Sequence, residues 1–361
     1  MSSNKVVILQ NSIKTTYLFR IETIKLLLDE GFEVIVVAPN DYDAYRIKLN
    51  EIGVTTPLFI NSNSKLSFVM SIFLMNLLIV KYRLQGARFI CHFLVTFFMT
   101  FFSLLPFNKR LVVYVEGVGS MLLANKFLLK VAKYLLSFAP LRLFCNKDEK
   151  LELGIYTDIV TNGIGVNLNK FESNVVKKDS DVFKLLYVGR LIKDKGVLDA
   201  INAHKLLLER GCRVKLTLLG DLYPNNPSSL SKSDVESLKR ELGDTIEFCG
   251  FKDEIEQEYL SSHILLLPSK REGFPVCVME ATASGIPSVC YDVPGCRDAI
   301  TPQLNGTLVT PFSVNDFADS IATWLNHGKL RSVHNIIKAK AAKDFDRKKK
   351  SQQIVDIISV I

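Results

Sequence analysis

Tyr187-Val188-Gly189-Arg190-Leu191-Ile192-Lys193-Asp194-Lys195-Gly196 reads as an apolar strand running into a glycine, two cations five residues apart, and a helix start. The glycine permits close backbone approach, and the free N–H groups and dipole of a helix start favour an anion. Arg190 and Lys195 above such a start make a candidate diphosphate site. Taken alone, the same residues also fit an exposed basic loop.

Working outward, the pattern repeats on both sides. Apolar runs at Lys184–Val188, Lys215–Leu219, Ile246–Cys249, Ile264–Leu267 and Ser288–Tyr291 predict strands. Between and after them, helical spacing covers Val197–Arg210, Ser231–Glu241, Glu254–Ser262, Val276–Ala283 and Asp316–Leu325. Toward the N-terminus, Val6–Leu9, Val34–Ala38, Phe89–Phe93, Leu111–Val115 and Leu141–Cys145 are further strands, with a helix over Phe19–Asp29 that stops before Gly31. Strands apolar on both faces, alternating with helices, predict doubly wound parallel sheets. A chain of 361 residues accommodates two of them. The turn-rich Thr161-Asn162-Gly163-Ile164-Gly165-Val166-Asn167 and the charged Lys177-Lys178-Asp179-Ser180-Asp181 mark the change between halves. The expected fold class is therefore α/β, with Rossmann-like domains over 1–165 and 166–340. Lys338–Ile361 reads as a basic amphipathic helix, and residues 341–361 are expected to pack back on the N-terminal domain.

With 48% hydrophobic and 23% charged residues, the chain has enough apolar surface for two cores, which excludes global disorder. Its 7 cysteines form no C-x-x-C pair or zinc-like cluster, so reduced thiols in a cytoplasmic protein are expected. Met1–Gln10 has neither the basic start nor the cleavage site of a signal peptide. The net charge of +8 is uneven: Leu66–Lys150 carries 11 basic residues against Glu116, Asp148 and Glu149. Such a surface suits an anionic partner. The surrounding long aliphatic runs, without aromatics spaced for base stacking, argue against nucleic acid. Leu66–Val80 is apolar for 15 residues before Lys81, short of a bilayer crossing, and Phe97–Phe107 holds five Phe. Two buried helices, a membrane-dipping surface aided by Lys126, Lys130 and Lys133, and a spanning segment all fit this stretch.

The most informative residues are Leu267-Pro268-Ser269-Lys270-Arg271-Glu272-Gly273-Phe274-Pro275-Val276-Cys277-Val278-Met279-Glu280-Ala281. Pro275 suits the first position of a helix that Gly285 ends. Amides around Gly273 and Phe274 would then surround an anion, with Glu272 reaching sugar hydroxyls and Glu280 a ribose. Carboxylates suit vicinal hydroxyls because each oxygen accepts a hydrogen bond.

Glu272 through Glu280 resembles the E-x7-E motif of retaining family 4 glycosyltransferases. Gly189-Arg190…Lys195-Gly196 is similar to their diphosphate-binding G-R…K-G, and Asn305-Gly306-Thr307-Leu308-Val309 to their N-G-x-L-V turn. The resemblance implies a GT-B fold with a cleft between two domains, a nucleotide-sugar donor in the C-terminal half, and no cofactor or metal requirement. Asn11-Ser12, Tyr17-Leu18-Phe19-Arg20, Ala38-Pro39-Asn40-Asp41-Tyr42, Val115-Glu116-Gly117 and Asp292-Val293-Pro294-Gly295-Cys296-Arg297 look like bacterial enzymes that extend polyprenyl-diphosphate-linked saccharides. That narrower resemblance implies a UDP-sugar donor, a polyprenyl-diphosphate-linked saccharide acceptor, and a peripheral place on the cytoplasmic face of the inner membrane.

In the mechanism so implied, Arg190 and Lys195 stabilise the departing diphosphate, Glu272 orients the donor sugar and Glu280 holds the ribose. Gly189, Gly273, Phe274 and Pro275 complete the donor site. Asn11, Arg20 and His92 are expected on the acceptor side, with Arg20 toward the acceptor diphosphate, and Glu116 is a fourth catalytic candidate. The sequence departs from the family pattern twice: Asn11-Ser12 stands where many members have Gly-Gly, and Glu116 where many have histidine. A nucleotide-sugar epimerase of the same architecture and a non-catalytic partner subunit are the rival readings. Intact Arg190, Lys195, Glu272 and Glu280 disfavour the second.

Overall fold

The computed structural model describes residues 4–58, 64–105, 109–119, 122, 125–172, 181–325 and 327–361. Phe107 and the charged Lys177-Lys178-Asp179-Ser180 lie outside them. Two compact units result: Met1–Ile164 with Arg347–Ile361, and Gly165–Asp346.

The first unit runs β1 (Lys5–Leu9), α1 (Ile13–Asp29), β2 (Glu33–Val37), α2 (Asp43–Glu51), α3 (Lys65–Leu84), β3 (Arg88–His92) and α4 (Leu94–Leu104). It continues with β4 (Leu111–Val115), α5 (Lys126–Leu136), β5 (Leu141–Phe144), α6 (Lys147–Leu153) and β6 (Ile159–Val160). All six strands are parallel, in the order β2-β1-β3-β4-β5-β6. Every residue of β4 is buried, and so is all of β1 after Lys5. This is why these strands read as unbroken apolar runs.

The second unit holds β7 (Phe183–Val188), α7 (Val197–Glu209), β8 (Val214–Leu219), α8 (Lys232–Leu242), β9 (Ile246–Gly250), α9 (Glu256–Ser261) and β10 (Ile264–Leu267). It ends with α10 (Val276–Ala283), β11 (Ser288–Tyr291), α11 (Cys296–Ala299), β12 (Gly306–Val309), α12 (Val314–Trp324) and α13 (His327–Asp344). Its parallel order is β12-β11-β10-β7-β8-β9. The chain leaves β7 toward β8 and β9, then returns to the other side at β10. The order therefore reverses between β7 and β10, where open sheets of this class bind ligands. The first unit has the same reversal between β1 and β3.

Two expectations need correction. Helix α1 begins at Ile13 rather than Phe19, because Ser12 caps it through Thr15 N–H at 3.2 Å. Asp41 also accepts from the N–H of Ile13 at 2.9 Å and of Lys14 at 3.2 Å. The C-terminal helix is two helices, α13 and α14 (Arg347–Ser359), separated at Phe345. Phe345 is buried against Phe274, with ring centroids 5.9 Å apart, and its carbonyl accepts from Val166 N–H at 2.8 Å. The Phe345 N–H still donates to the Ala341 carbonyl at 2.8 Å, so α13 closes there, while its own carbonyl is taken by Val166. Beyond the break, α14 packs on α1, with Thr23 Oγ1 donating to Ser351 Oγ at 3.0 Å.

Of the alternatives left open for the long apolar stretch, full burial is not what the structure shows: α3 and α4 are only partly buried. Helix α3 turns Ser71, Met75, Ile79 and Tyr82 inward at helical spacing, while Leu66, Val69, Met70, Phe73 and Leu77 face out. By length and composition it is long and apolar enough to cross a membrane.

Candidate active site

The loops leaving β7 and β10 emerge side by side, since Tyr187 is in register with Leu266. After β7 the backbone passes Gly189 and Arg190 and makes a 3-10 turn at Lys193–Lys195. Tyr187 Oη donates to the carbonyls of Arg190 at 3.0 Å and Lys195 at 3.2 Å, so one buried phenol pins both ends of this loop. Gly196 has φ +74°, and a Cβ there would overlap the Pro268 carbonyl oxygen. Only glycine lets this turn lie against the strand-end loop of β10.

That close approach joins Lys195 to Glu272, Nζ to Oε1 at 2.7 Å. Both side chains are mostly but not fully covered. Arg190 is exposed, lies over the Tyr223 ring at 5.4 Å, and has no carboxylate partner among the described residues. A cation so placed is available to an anion. Gly273 and Phe274 follow Glu272 directly. Pro275 caps α10, which starts at Val276, so the proline sits one position earlier than expected. Glu280, on α10, accepts from the buried Tyr259 Oη at 2.7 Å, which fixes the orientation of its carboxylate.

Gly295, φ +80°, supports the same loop from β11: a Cβ there would meet the Glu272 carbonyl oxygen at 2.7 Å. Asn305 is fully buried, donates to Thr282 Oγ1 and the Ala299 carbonyl, and accepts from Thr301 N–H at 2.7 Å. Its motif is therefore a side-chain staple behind α10, with Gly306–Val309 as strand β12.

In the first unit, Arg20 on α1, His92 at the end of β3 and Glu116 after β4 converge. Arg20 Nη2 pairs with Glu116 Oε2, and His92 Nδ1 lies 2.6 Å from Glu116 Oε1. Arg20 Nε is buried without a hydrogen-bond partner among the described residues. Burial and the nearby Arg20 charge lower the His92 pKa to about 4 against the pull of Glu116, so the ring is neutral at pH 7. Burial alone would raise the Glu116 carboxyl, but Arg20 and His92 outweigh it and hold it below the usual carboxylate range. An ionised carboxylate only accepts, so Nδ1 carries the ring proton and Nε2 is an acceptor.

The structure thus brings Lys195 to Glu272, and Arg20 and His92 to Glu116, as two constellations in different units. Asn11 is exposed at the β1–α1 turn. Arg20, expected toward an acceptor diphosphate, is paired with Glu116 through Nη2. Sequence reading missed Tyr187, Tyr259 and Asp41 as supporting residues. Tyr259 lies 21 positions from Glu280 on another helix, and nothing local marks it. Asp41 lay within a quoted motif, but its target at the start of α1 is 28 positions away.

Residues 169–343 match the family model described as glycosyl transferases group 1. Over 344 residues the chain is 26% identical to the N,N'-diacetylbacillosaminyl-diphospho-undecaprenol alpha-1,3-N-acetylgalactosaminyltransferase of Campylobacter jejuni, covering 87% of this chain and 88% of that one. It is 28% identical over 200 residues to the capsular polysaccharide biosynthesis glycosyltransferase CapM of Staphylococcus aureus, covering 53% and 50%. The crystal structure of Anabaena HepE in complex with UDP and glucose superposes with a TM-score of 0.76 at 20% identity, over 99% of this chain and 100% of that one. The architecture of two parallel six-stranded sheets is the GT-B fold. Residues 169–343, the segment that matches the glycosyl transferases group 1 model, carry Lys195, Glu272 and Glu280, and the comparisons support a glycosyltransferase.

Proposed function

We propose that this enzyme is a retaining hexosyltransferase that moves GalNAc, or a related hexose or HexNAc, from a UDP-sugar to a polyprenyl-diphosphate-linked saccharide. The product would enter O-antigen, capsule or glycan assembly, and the enzyme would work peripherally on the cytoplasmic face of the inner membrane. The observation that carries the reading is the Lys195–Glu272 bridge at the β7/β10 reversal, where a diphosphate and a sugar would meet. The Campylobacter relative's undecaprenyl-diphosphate acceptor supports the acceptor class.

Arg190 and Lys195 take the charge that grows on the β-phosphate as the glycosidic C–O bond breaks. Glu272, held by Lys195, accepts from donor-sugar hydroxyls, and Glu280, held by Tyr259, accepts from the ribose. Gly189, Gly273 and Phe274 offer backbone approach to the phosphates. The acceptor hydroxyl attacks C1 from the face the diphosphate leaves, and its proton passes to the departing phosphate oxygen. Neutral His92, oriented by Glu116, accepts from an acceptor hydroxyl, and Arg20 acts through Glu116. Two protein cations carry the leaving-group charge, so the reaction needs no resident metal, and excess EDTA should leave the rate unchanged.

The test is nucleotide release from a panel of UDP- and GDP-sugars, with and without a polyprenyl-diphosphate HexNAc acceptor. One UDP-sugar should give acceptor-dependent release and an α-linked product. Isomerisation or release without acceptor would replace this reading with the epimerase, and silence throughout would reject the acceptor class.

A further inference from the structure

Three helices of the first unit leave apolar side chains facing outward. On α3 they are Leu66, Val69, Phe73 and Leu77; on α4, Phe102 is 88% exposed, with Val95 and Met99 beside it. Helix α5 places Phe127, Val131 and Tyr134 on one exposed stripe, continued by Phe138, while Ala132 and Leu136 turn inward. Lys126, Lys130 and Lys133 run alongside at spacings of four and three, all exposed.

These surfaces join. Asn76 Nδ2 donates to the Met99 carbonyl at 3.2 Å, and Ser103 Oγ to Asn76 Oδ1 at 2.6 Å. Arg83 Nη1 caps the C-terminal end of α4 through the carbonyls of Ser103 at 3.0 Å and Leu105 at 2.9 Å. A chain of ring contacts then leads from Phe102 through Phe101 and Phe138 to Tyr134, at 5.4, 6.0 and 5.2 Å.

We propose that the outer sides of α3, α4 and α5 form one bilayer-docking face. Its aromatic and aliphatic side chains enter the boundary between headgroups and acyl chains of a single leaflet, and Lys126, Lys130 and Lys133 pair with anionic phospholipid headgroups. Charge complementarity selects this occupant: an aromatic stripe bordered by a lysine stripe is the pattern of a helix lying in an anionic interface. Of the three acids between Leu66 and Lys150, Glu116 is paired with Arg20 and Glu149 is buried, which leaves the half-buried Asp148 against 11 basic residues. Crossing is disfavoured because α3 would have to withdraw Met75, Ile79 and Tyr82 from the core and break the Arg83 caps. The face deepens the acceptor reading, and rests on it only for its purpose.

The test is co-flotation of the full chain with phosphatidylcholine vesicles, with and without 30 mol% phosphatidylglycerol, at about 0.15 M salt. Binding should require the anionic lipid. Lys126→Ala/Lys130→Ala/Lys133→Ala should weaken it by about fivefold per lysine, or about 100-fold. Phe102→Asp/Phe127→Asp should abolish it while the thermal midpoint and UDP affinity stay as in the wild type. Failure to bind, or binding indifferent to both variants, would overturn the proposal. So would a dimer that dissociates in Phe102→Asp/Phe127→Asp, or resistance to alkaline carbonate extraction. Transfer by the wild-type chain to a short-chain, water-soluble acceptor separates the two readings: a wild-type chain that transfers but does not bind vesicles rejects only the face, and one that binds vesicles but does not transfer rejects only the acceptor.

Discussion

Tyr259 Oη does for Glu280 what Lys195 does for Glu272: each bonds a carboxylate oxygen and helps hold it in place. Tyr259→Phe removes a hydrogen bond to a charged group, worth about 1.5–3 kcal/mol in general. It should raise KM for the donor about tenfold, with kcat little changed, in steady-state assays of UDP release. An unchanged KM would mean Glu280 needs no such support. The two carboxylates and two cations were legible in the sequence because each lies within a short loop-to-helix step with fixed spacing. Tyr259 and Gly295 were not, since their significance is a tertiary approach. A tyrosine on a neighbouring helix carries no local pattern, and the Asp292–Arg297 motif does not reveal that its glycine lies under the Glu272 carbonyl.

Among the elements, α6 carries a pH-sensitive anchor. Glu149 Oε1 accepts from Val118 N–H at 3.2 Å and holds the turn that follows Glu116. Burial outweighs the Gly117, Asn146 and Val118 hydrogen bonds and raises the Glu149 pKa to about 7. A carboxyl raised in the folded state binds more protons there than when unfolded. Its contribution therefore destabilises the fold progressively as pH rises from about 4.5 through 7. His92 and His204 have the opposite sign: each is lowered to about 4 chiefly by burial, so their contribution falls as pH drops below 6.5. Glu149→Gln should thus gain stability relative to wild type between pH 5 and pH 8, by up to about 3 kcal/mol. Thermal melts across that range check the sign, and a constant difference would contradict it.

The break between α13 and α14 is a second test at this scale. Phe345→Ala leaves a cavity beside Phe274 and should cost about 3–5 kcal/mol, read as a fall in thermal midpoint. Periodicity showed the basic amphipathic pattern on both sides of Phe345. It could not show the break, because the carbonyl that ends α13 pairs with Val166, far away in sequence.

Over the whole molecule, alternating apolar runs revealed both sheets, and strands such as Leu111–Val115 and Ile264–Leu267 appear with the expected bounds. The strand order, and hence the two reversal points, was not legible, because every central strand is equally apolar. The long apolar stretch was ambiguous for a related reason. Composition alone cannot tell a helix with one buried stripe from one buried all round, and α3 is the first kind. The group 1 match ties the molecule to glycosyl transfer, and the proposed mechanism would break the donor bond beside Lys195 and Glu272. The most direct test is acceptor-dependent UDP release by Lys195→Ala against wild type, at saturating donor. Loss of leaving-group stabilisation predicts a fall in kcat of about 100- to 1,000-fold with the thermal midpoint preserved; a folded Lys195→Ala enzyme turning over at the wild-type rate would contradict the account.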